Sequence, residues 1–520
     1  MKKRTRICAL LLAALLTLAI APALAENVYP LQGDITLQVW CTLSSRASSY
    51  ITNLGENPAV QAAEKATGIK LEIIHPASGQ EKENLNLLVG GNKVPDIIVG
   101  DYYAGGAAAA VEDGVYLDLT DYVQQYMPCY YSYMQKNSDF YKLGTTEDRR
   151  VYGIYNYKDE FEPFYYRVQF RQDILDELNM KIPETIAEYE AFFEAVKEKY
   201  PEMTPFTLYK DGFDGPLMGA FNLGVIKASG CATWYQVDGK VKHPYFEAEA
   251  LKGYLTLMHK WYEAGYISKD FMSTTTSDLY TKGQVAAASF NGYGFYATIQ
   301  ELKIPTNSGR YMRTDDQQHI HTLVKYWAQN GSVTYVSGKA SKEKQIAAMR
   351  FLDWGYSPEG ILTYNFGPKG VTWDEQDENG FPIYNDFMLH NEQYPISNAE
   401  YILRLHGNGW AHFRYGDKTG MAANQLDYSA WQYRERWGDD EFVDSEYALP
   451  PFALNSDDAQ EVKRIMNNVN TYANEMVLKY ITGSADLANF ESEYMTTIKS
   501  MHIEDAIAIY QAAYDKYLQD

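Results

Sequence analysis

From Ile35 to Val99 the chain alternates strand-forming and helix-forming stretches, and this alternation restricts its possible folds more than any other feature. Ile35–Trp40 reads as a strand. Pro58 starts a helix that runs through Thr67 and ends at Gly68, the residue type that closes helices in a left-handed conformation. Ile69–His75, rich in β-branched residues, is the next strand. Glu81–Val89 is a helix closed by Gly90-Gly91, and Pro95-Asp96 leads into the strand Ile97-Ile98-Val99. Strand–helix–strand–helix–strand implies an α/β fold with a parallel sheet and right-handed crossovers. Ligands of such sheets sit beyond the carboxyl ends of the strands. Here those ends carry Thr42–Arg46 and Asp101-Tyr102-Tyr103.

The later sequence is richer in helix. Leu251, Tyr254, Leu255, Met258 and Tyr262 follow helical spacing up to Gly265. Val462, Ile465, Met466, Val469, Tyr472 and Met476 form a second stripe, and Ala506, Ile509, Ala513 and Tyr517 a third. Such stripes are core faces. Thr363–Asp417, dense in Gly, Pro, Asn and aromatics, reads as long ordered loops, which are commonly functional. A length of 520 residues fits about three domain-sized units, or two large lobes.

The N-terminus sets the compartment. Lys2, Lys3, Arg4 and Arg6 precede an apolar run from Ile7 to Ile20, and Ala23-Leu24-Ala25 has the small-x-small pattern of a signal-peptide cleavage site. The run is about 14 residues, short of the ~20 that span a bilayer. Residues 1–25 are therefore expected to be removed on export, which takes four basic residues and moves the formal charge from -22 to -26. Bacterial lipid anchors need a Cys at the end of the apolar run, whereas Cys8 stands at its start. With 46 basic against 68 acidic residues, the chain lacks the basic surface that nucleic acid requires. Cys41, Cys129 and Cys231 are too few and too scattered for a disulfide framework, and buried thiols are the simpler reading.

Most catalytic signatures are absent. There is no GxSxG, Walker loop, HExxH or GxGxxG. His319-x-His321 is half of a metal site with no nearby third ligand, so no metal and no cofactor is expected. A glycosidase needs two carboxylates across a cleft, a pair that 68 acidic residues leave open. Asp377–Gly380 lacks the alternating oxygens of a calcium loop, and Asn379-Gly380 reads as a hairpin turn.

A pocket for a wet, polar ligand needs aromatic planes and two-way hydrogen-bonding groups. The unusual count of 45 Tyr, with 9 Trp and 21 Phe, suits such wet, polar ligands. The predicted strand ends and loops offer Arg46, Asp101, Tyr102 and Asn156 on one side. Tyr293, after Asn291-Gly292, with Trp373, Trp410 and Arg414 would face them. Each aromatic could equally be a packing residue, and Asp101 could equally cap a helix.

The chain resembles the extracellular solute-binding proteins of ABC importers, in their large oligosaccharide-binding group. Asn57-Pro58 leads to Glu64–Ile69, similar to the family's EKATGI, and Leu85–Leu88 leads through Pro95 to Asp96-Ile97-Ile98, similar to its PDII strand. Arg171–Leu178 with Ile182–Thr185, Lys282–Ala286, Ala348–Gly360, Tyr480–Gly483 and Tyr510–Asp515 continue the match in order. The resemblance implies two α/β lobes of a periplasmic-binding-protein (Venus flytrap) fold closing over a ligand, with a helix-rich C-terminal part. It puts residues 27–157 and 325–360 in one lobe, and 158–324 and 361–520 in the other. It further implies an exported, non-enzymatic, monomeric protein that captures a carbohydrate and delivers it to permease subunits in the membrane. A secreted carbohydrate-active enzyme, or a binder of peptides or other solutes on the same fold, is the alternative. Relatives that bind acidic oligosaccharides often carry a calcium loop where this chain reads Glu198–Pro205, without the alternating ligands, so no metal is carried over.

Overall fold

The computed structural model describes residues 28–519, apart from 147–148, 159–165, 224–233, 292–294, 296–297, 300–301, 322–327, 379, 407–408, 416–442, 445–446, 451 and 453. The expected signal peptide, Cys231 and Tyr293 lie outside the described residues. The strands used below are β1 (Ile35–Trp40), β2 (Ile69–Ile74), β3 (Ile97–Val99), β4 (Ile154–Lys158), β5 (Tyr166–Arg171) and β6 (Thr204–Thr207). They continue with β7 (Val285–Asn291), β8 (Thr306–Ser308), β9 (Ala328–Val336), β10 (Trp373–Gln376), β11 (Pro382–Tyr384) and β12 (Phe413–Arg414). The main helices are α1 (Pro58–Thr67), α2 (Glu81–Gly90), α3 (Pro128–Lys136), α4 (Ile186–Lys199), α5 (Ala248–Glu263), α6 (Lys342–Trp354), α7 (Pro358–Phe366), α8 (Ile396–Leu403), α9 (Ser456–Ile481) and α10 (Ile503–Gln519).

The chain divides into two compact units. The first runs to residue 161 and resumes over 326–426; the second takes 162–325 and the chain from 427 onward. The segment 361–426, expected with the second lobe, thus belongs with the first. Its packing explains this: α7 lies against α1, and the amide of Asn57 at the start of α1 donates to the Arg404 carbonyl at 2.9 Å.

The first unit is built on a six-stranded sheet ordered β12-β4-β9-β3-β1-β2. The opening β–α–β–α–β reading holds: β1 pairs in parallel with β2 (Ile35↔Ile69 through Trp40↔Ile74) and with β3 (Val39↔Ile97). Local signals shape α1. The Asn57 side chain accepts from the Ala59 N–H, Pro58 takes the first turn, and Gly68 ends the helix at φ +75°. A Cβ on Gly68 would lie 2.9 Å from the Leu31 carbonyl oxygen, so this turn needs glycine. Strand alternation sends Leu37, Val39, Ile97 and Val99 to one core, shared with Phe351 and Leu352 of α6. It sends Trp40 and Ile98 to the other, with Val333 and Tyr335 of β9.

The long-loop reading of Thr363–Asp417 is corrected. The stretch contains the last four residues of α7, the antiparallel hairpin β10–β11, then α8 and β12. Its aromatics bury each other: Phe366, Trp373 and Tyr384 join Met388 and Leu403 in a small core of their own.

The second unit has a four-stranded sheet ordered β8-β5-β7-β6, with β5 antiparallel to β7 and β6 parallel to it. Phe192 and Phe193 of α4 bury against it, and Leu251, Tyr254, Leu255 and Met258 of α5 with Val462, Ile465 and Val469 of α9 do so as their spacing predicts. Two stripe ends differ. Trp261 rather than Tyr262 completes the buried face of α5, and Tyr514 rather than Tyr517 that of α10. No helix among the described residues is long and apolar enough to cross a membrane.

Candidate functional site

Strand direction gathers the candidates of the first unit. β9 runs antiparallel to both β3 and β4, and β12 runs parallel to β4. Thus β1, β2, β3, β4 and β12 all point the same way, and their carboxyl ends leave the sheet at one edge. That edge carries the short helix Ser45–Ser48 with Arg46, the turn Gly100–Tyr103 with Asp101 and Tyr102, and Arg414 at the end of β12. It also carries Lys158 at the end of β4, which sequence reasoning missed.

The turn after β3 is tightly specified. Gly100 has φ +97°, and a Cβ there would collide with the Tyr102 ring, so the backbone itself forms one wall of the Tyr102 position. The ring packs edge-on to Trp40 with centroids 5.5 Å apart. Beside it, Tyr116 stacks on Tyr335 at 4.1 Å, and Tyr103 tilts against Tyr116 at 5.9 Å. The Tyr103 hydroxyl donates to the Asp113 carboxylate at 2.7 Å. The Tyr116 hydroxyl is buried with no hydrogen-bond partner among the described residues. Asp101 reaches solvent, yet the protein packed around its carboxyl removes enough water to raise its pKa. The Tyr155 hydroxyl is pushed up to about 12, by burial first and then by the Asp101 charge. Ring faces, phenolic tips and one carboxylate therefore meet at this edge.

A basic group lies along the same edge. The register of β4 and β12 sets Lys158 beside Arg414. The Arg46 guanidinium stands 5.3 Å over the Tyr401 ring, whose neighbour is His406 with centroids 4.8 Å apart. Arg404 turns inward, donating to the Asn365 carbonyl at 2.7 Å and pairing with Glu400 at 2.9 Å.

Three expected site residues are packing residues instead. Asn156 is buried and accepts the His412 N–H at 3.0 Å, tying the approach to β12 onto β4. Trp373 is buried in the hairpin core and donates to the Gly367 carbonyl at 2.8 Å. Trp410 is 0% exposed, edge-on to Phe351 at 5.1 Å, with its indole N–H donating to the Tyr364 hydroxyl at 3.1 Å. Gly409 has φ +75°, a Cβ there would lie 2.7 Å from the Leu405 Cδ1, and the ring that follows is buried where an exposed loop was expected.

The second unit has its own cluster at the carboxyl end of β7. Arg167 of β5, paired with Phe290, is fully buried, and its guanidinium lies 4.0 Å over the Tyr311 ring. Asp214, at the head of the Gly215–Met218 turn, accepts the Ser289 hydroxyl at 2.7 Å. Its other oxygen has no partner among the described residues, and burial pushes the carboxyl up to about 8. The Tyr189 hydroxyl is likewise buried without a partner among the described residues. Arg167 and Asp214 were missed by sequence. Asp214-Gly215-Pro216 carries a helix-start signal, but nothing local marks it as buried.

Comparison with known proteins follows this geometry. The family described as "Bacterial extracellular solute-binding protein" matches residues 58–367. Polygalacturonan/rhamnogalacturonan-binding protein YtcQ of Bacillus subtilis (strain 168) is 25% identical over 255 residues, covering 46% of this chain and 48% of that protein. The chain thus spans about half the length of this relative. A carbohydrate ABC transporter substrate-binding protein of Streptococcus pneumoniae serotype 4 (strain ATCC BAA-334 / TIGR4) is 22% identical over 484 residues, 88% of this chain and 86% of that one. The S. pneumoniae ABC-transporter substrate binding protein FusA, solved in complex with kestose, superposes with a TM-score of 0.73 at 15% identity, over 93% of this chain and 99% of that chain. This likeness shows the fold, the two-lobe α/β class expected from the sequence.

Proposed function

Because the chain belongs to the bacterial extracellular solute-binding protein family, we propose that it captures an oligosaccharide outside the cytoplasm and delivers it to the permease subunits of an ABC importer. The reading makes it a monomeric, non-enzymatic carrier, exported by the signal sequence of residues 1–25. Relatives named for carbohydrate binding and transport support the ligand class. The observation that carries the reading is the tyrosine-lined turn at Gly100-Asp101-Tyr102. There a ring held by Trp40 and Gly100 can meet the CH face of a sugar, while the Asp101 carboxylate accepts from its hydroxyls. In this reading Asp101, Tyr102, Arg46, Lys158 and Arg414 of the first unit contact ligand.

Titration calorimetry of Tyr102→Ala tests the site. A sugar stacked on this ring loses about 1–3 kcal/mol of binding energy, while the melting temperature stays close to that of the parent because the ring is half-exposed. Unchanged affinity in a folded variant would remove this turn from the site.

A further inference from the structure

We infer that the exposed ring of Tyr50, held by Tyr394 and Asn398, is an outer subsite that stacks on a further sugar ring, so that longer oligosaccharides bind more tightly than short ones. The inference rests on the oligosaccharide reading above and deepens it with a subsite and a length preference. Its ground is a ring that is fixed in place yet left out of the core. Tyr50 is 42% exposed, although its neighbours Ala47 and Ile51 are buried in the same small core as Phe366 and Trp373. Exposed side chains normally turn freely; this one is held at both ends. Its ring meets Tyr394 edge-on, with centroids 5.6 Å apart and planes at 81°, and its hydroxyl accepts the Asn398 amide N–H at 3.2 Å. The backbone beneath is fixed as well, since the Tyr50 and Ile51 N–H groups donate to the Ala47 carbonyl at 2.9 and 3.0 Å. A ring set in orientation yet open to solvent offers a sugar's CH face a plane that loses little further freedom on binding.

Position carries the argument further. Tyr50 follows β1 through the short helix Ser45–Ser48, the connection that leaves the sheet at the edge where ligands of such sheets bind. That helix packs on α8. Arg46 lies over Tyr401 of α8, and Tyr50 is bonded to Asn398, three residues earlier on the same helix. Residues three apart are neighbours on one helix face, with Cβ atoms about 5–6 Å from each other, a spacing on the order of one sugar ring. The tyrosine pair thus continues the strand-end edge outward by one unit. Asn398 supplies a polar rim. Beyond the N–H given to Tyr50, a primary amide has a second N–H and a carbonyl oxygen, which suit a sugar hydroxyl.

Oligosaccharide ladders test this: malto-, xylo-, manno-, fructo- and galacturono-oligosaccharides, each from disaccharide to heptasaccharide, titrated calorimetrically into the full protein. In a ladder that binds, affinity should rise with length. Tyr50→Ala should weaken the longest members about three- to tenfold and leave the shortest binder unchanged. Tyr50→Phe, which keeps the stacking plane, should retain most of the gain with length. Affinity that is flat with length in the parent, or a Tyr50→Ala loss that is absent or equal at every length, overturns the inference and leaves the carrier reading intact. A lowered melting temperature with an unchanged length profile also overturns it, because the pair then serves the fold. Silence from every ladder removes the oligosaccharide reading and this inference with it.

Discussion

At Trp410 two residue-scale forces compete, and packing wins. Glycine at 407 and 409 frees the backbone to display a ring, which is why the sequence suggests exposure. The ring instead fills a gap among Phe351 and Tyr364, and its N–H finds the Tyr364 hydroxyl. Trp410→Ala should therefore cost ~3–5 kcal/mol of stability, measured by urea unfolding. A variant as stable as the parent would mean the ring is not core. The strand-end positions of Tyr102 and Asp101 were legible because the local order of elements suffices to place them. Lys158, Arg167 and Asp214 were not, since their neighbours come from strands and turns far away in sequence. Only the register of β4 with β12, and of β5 with β7, reveals them.

Elements are held by buried polar groups as much as by apolar stripes. The first residue before α3 offers no side-chain cap, and Asp353 of α6 supplies one from outside, accepting the Tyr130 N–H at 2.8 Å. Burial outweighs these hydrogen bonds and pushes Asp353 up to about 7, as it pushes Asp214 to about 8. Both folded values exceed the unfolded value of 3.8, so the folded chain holds the extra proton between pH 4 and those values. Each group's contribution to stability is full below pH 4 and declines as pH rises to 7 or 8. Below pH 6.5 the buried His243 and His412, held near 3, oppose this trend because the unfolded chain binds their protons. The stability advantage of the parent over Asp214→Asn should accordingly be larger at pH 5 than at pH 8, compared by urea titration. An advantage that is flat or grows with pH would show that Asp214 is ionised in the fold. The opening strands and helices were readable from caps and period alone. Residues 363–417 were not, because glycines and prolines there bound short elements that a loop reading merges.

For the whole molecule, connection lengths limit what the protein can hold. Between α4 and β6 only Tyr200–Met203 intervene, closed by the Met203 N–H donating to the Tyr200 carbonyl at 2.9 Å. A helix-associated calcium loop needs about 12 residues with alternating oxygens, far more than this turn offers. Adding a chelator should thus leave the melting temperature within error, whereas a bound structural ion would lower it on removal. A clear drop on chelation would place a calcium site elsewhere in the chain. The division at residue 426 rather than 360 was beyond the sequence, since it depends on α7 and α8 docking against α1 and the helix that carries Arg46. On the proposed function, this acidic, tyrosine-rich two-unit chain carries sugars and does not cut them. Isothermal titration of the purified protein with an oligosaccharide panel, followed by chromatography of the recovered sugar, tests it most directly. A carrier binds one oligosaccharide per chain saturably and releases it unchanged. Cleaved product, or no binding across neutral and acidic members alike, would contradict it.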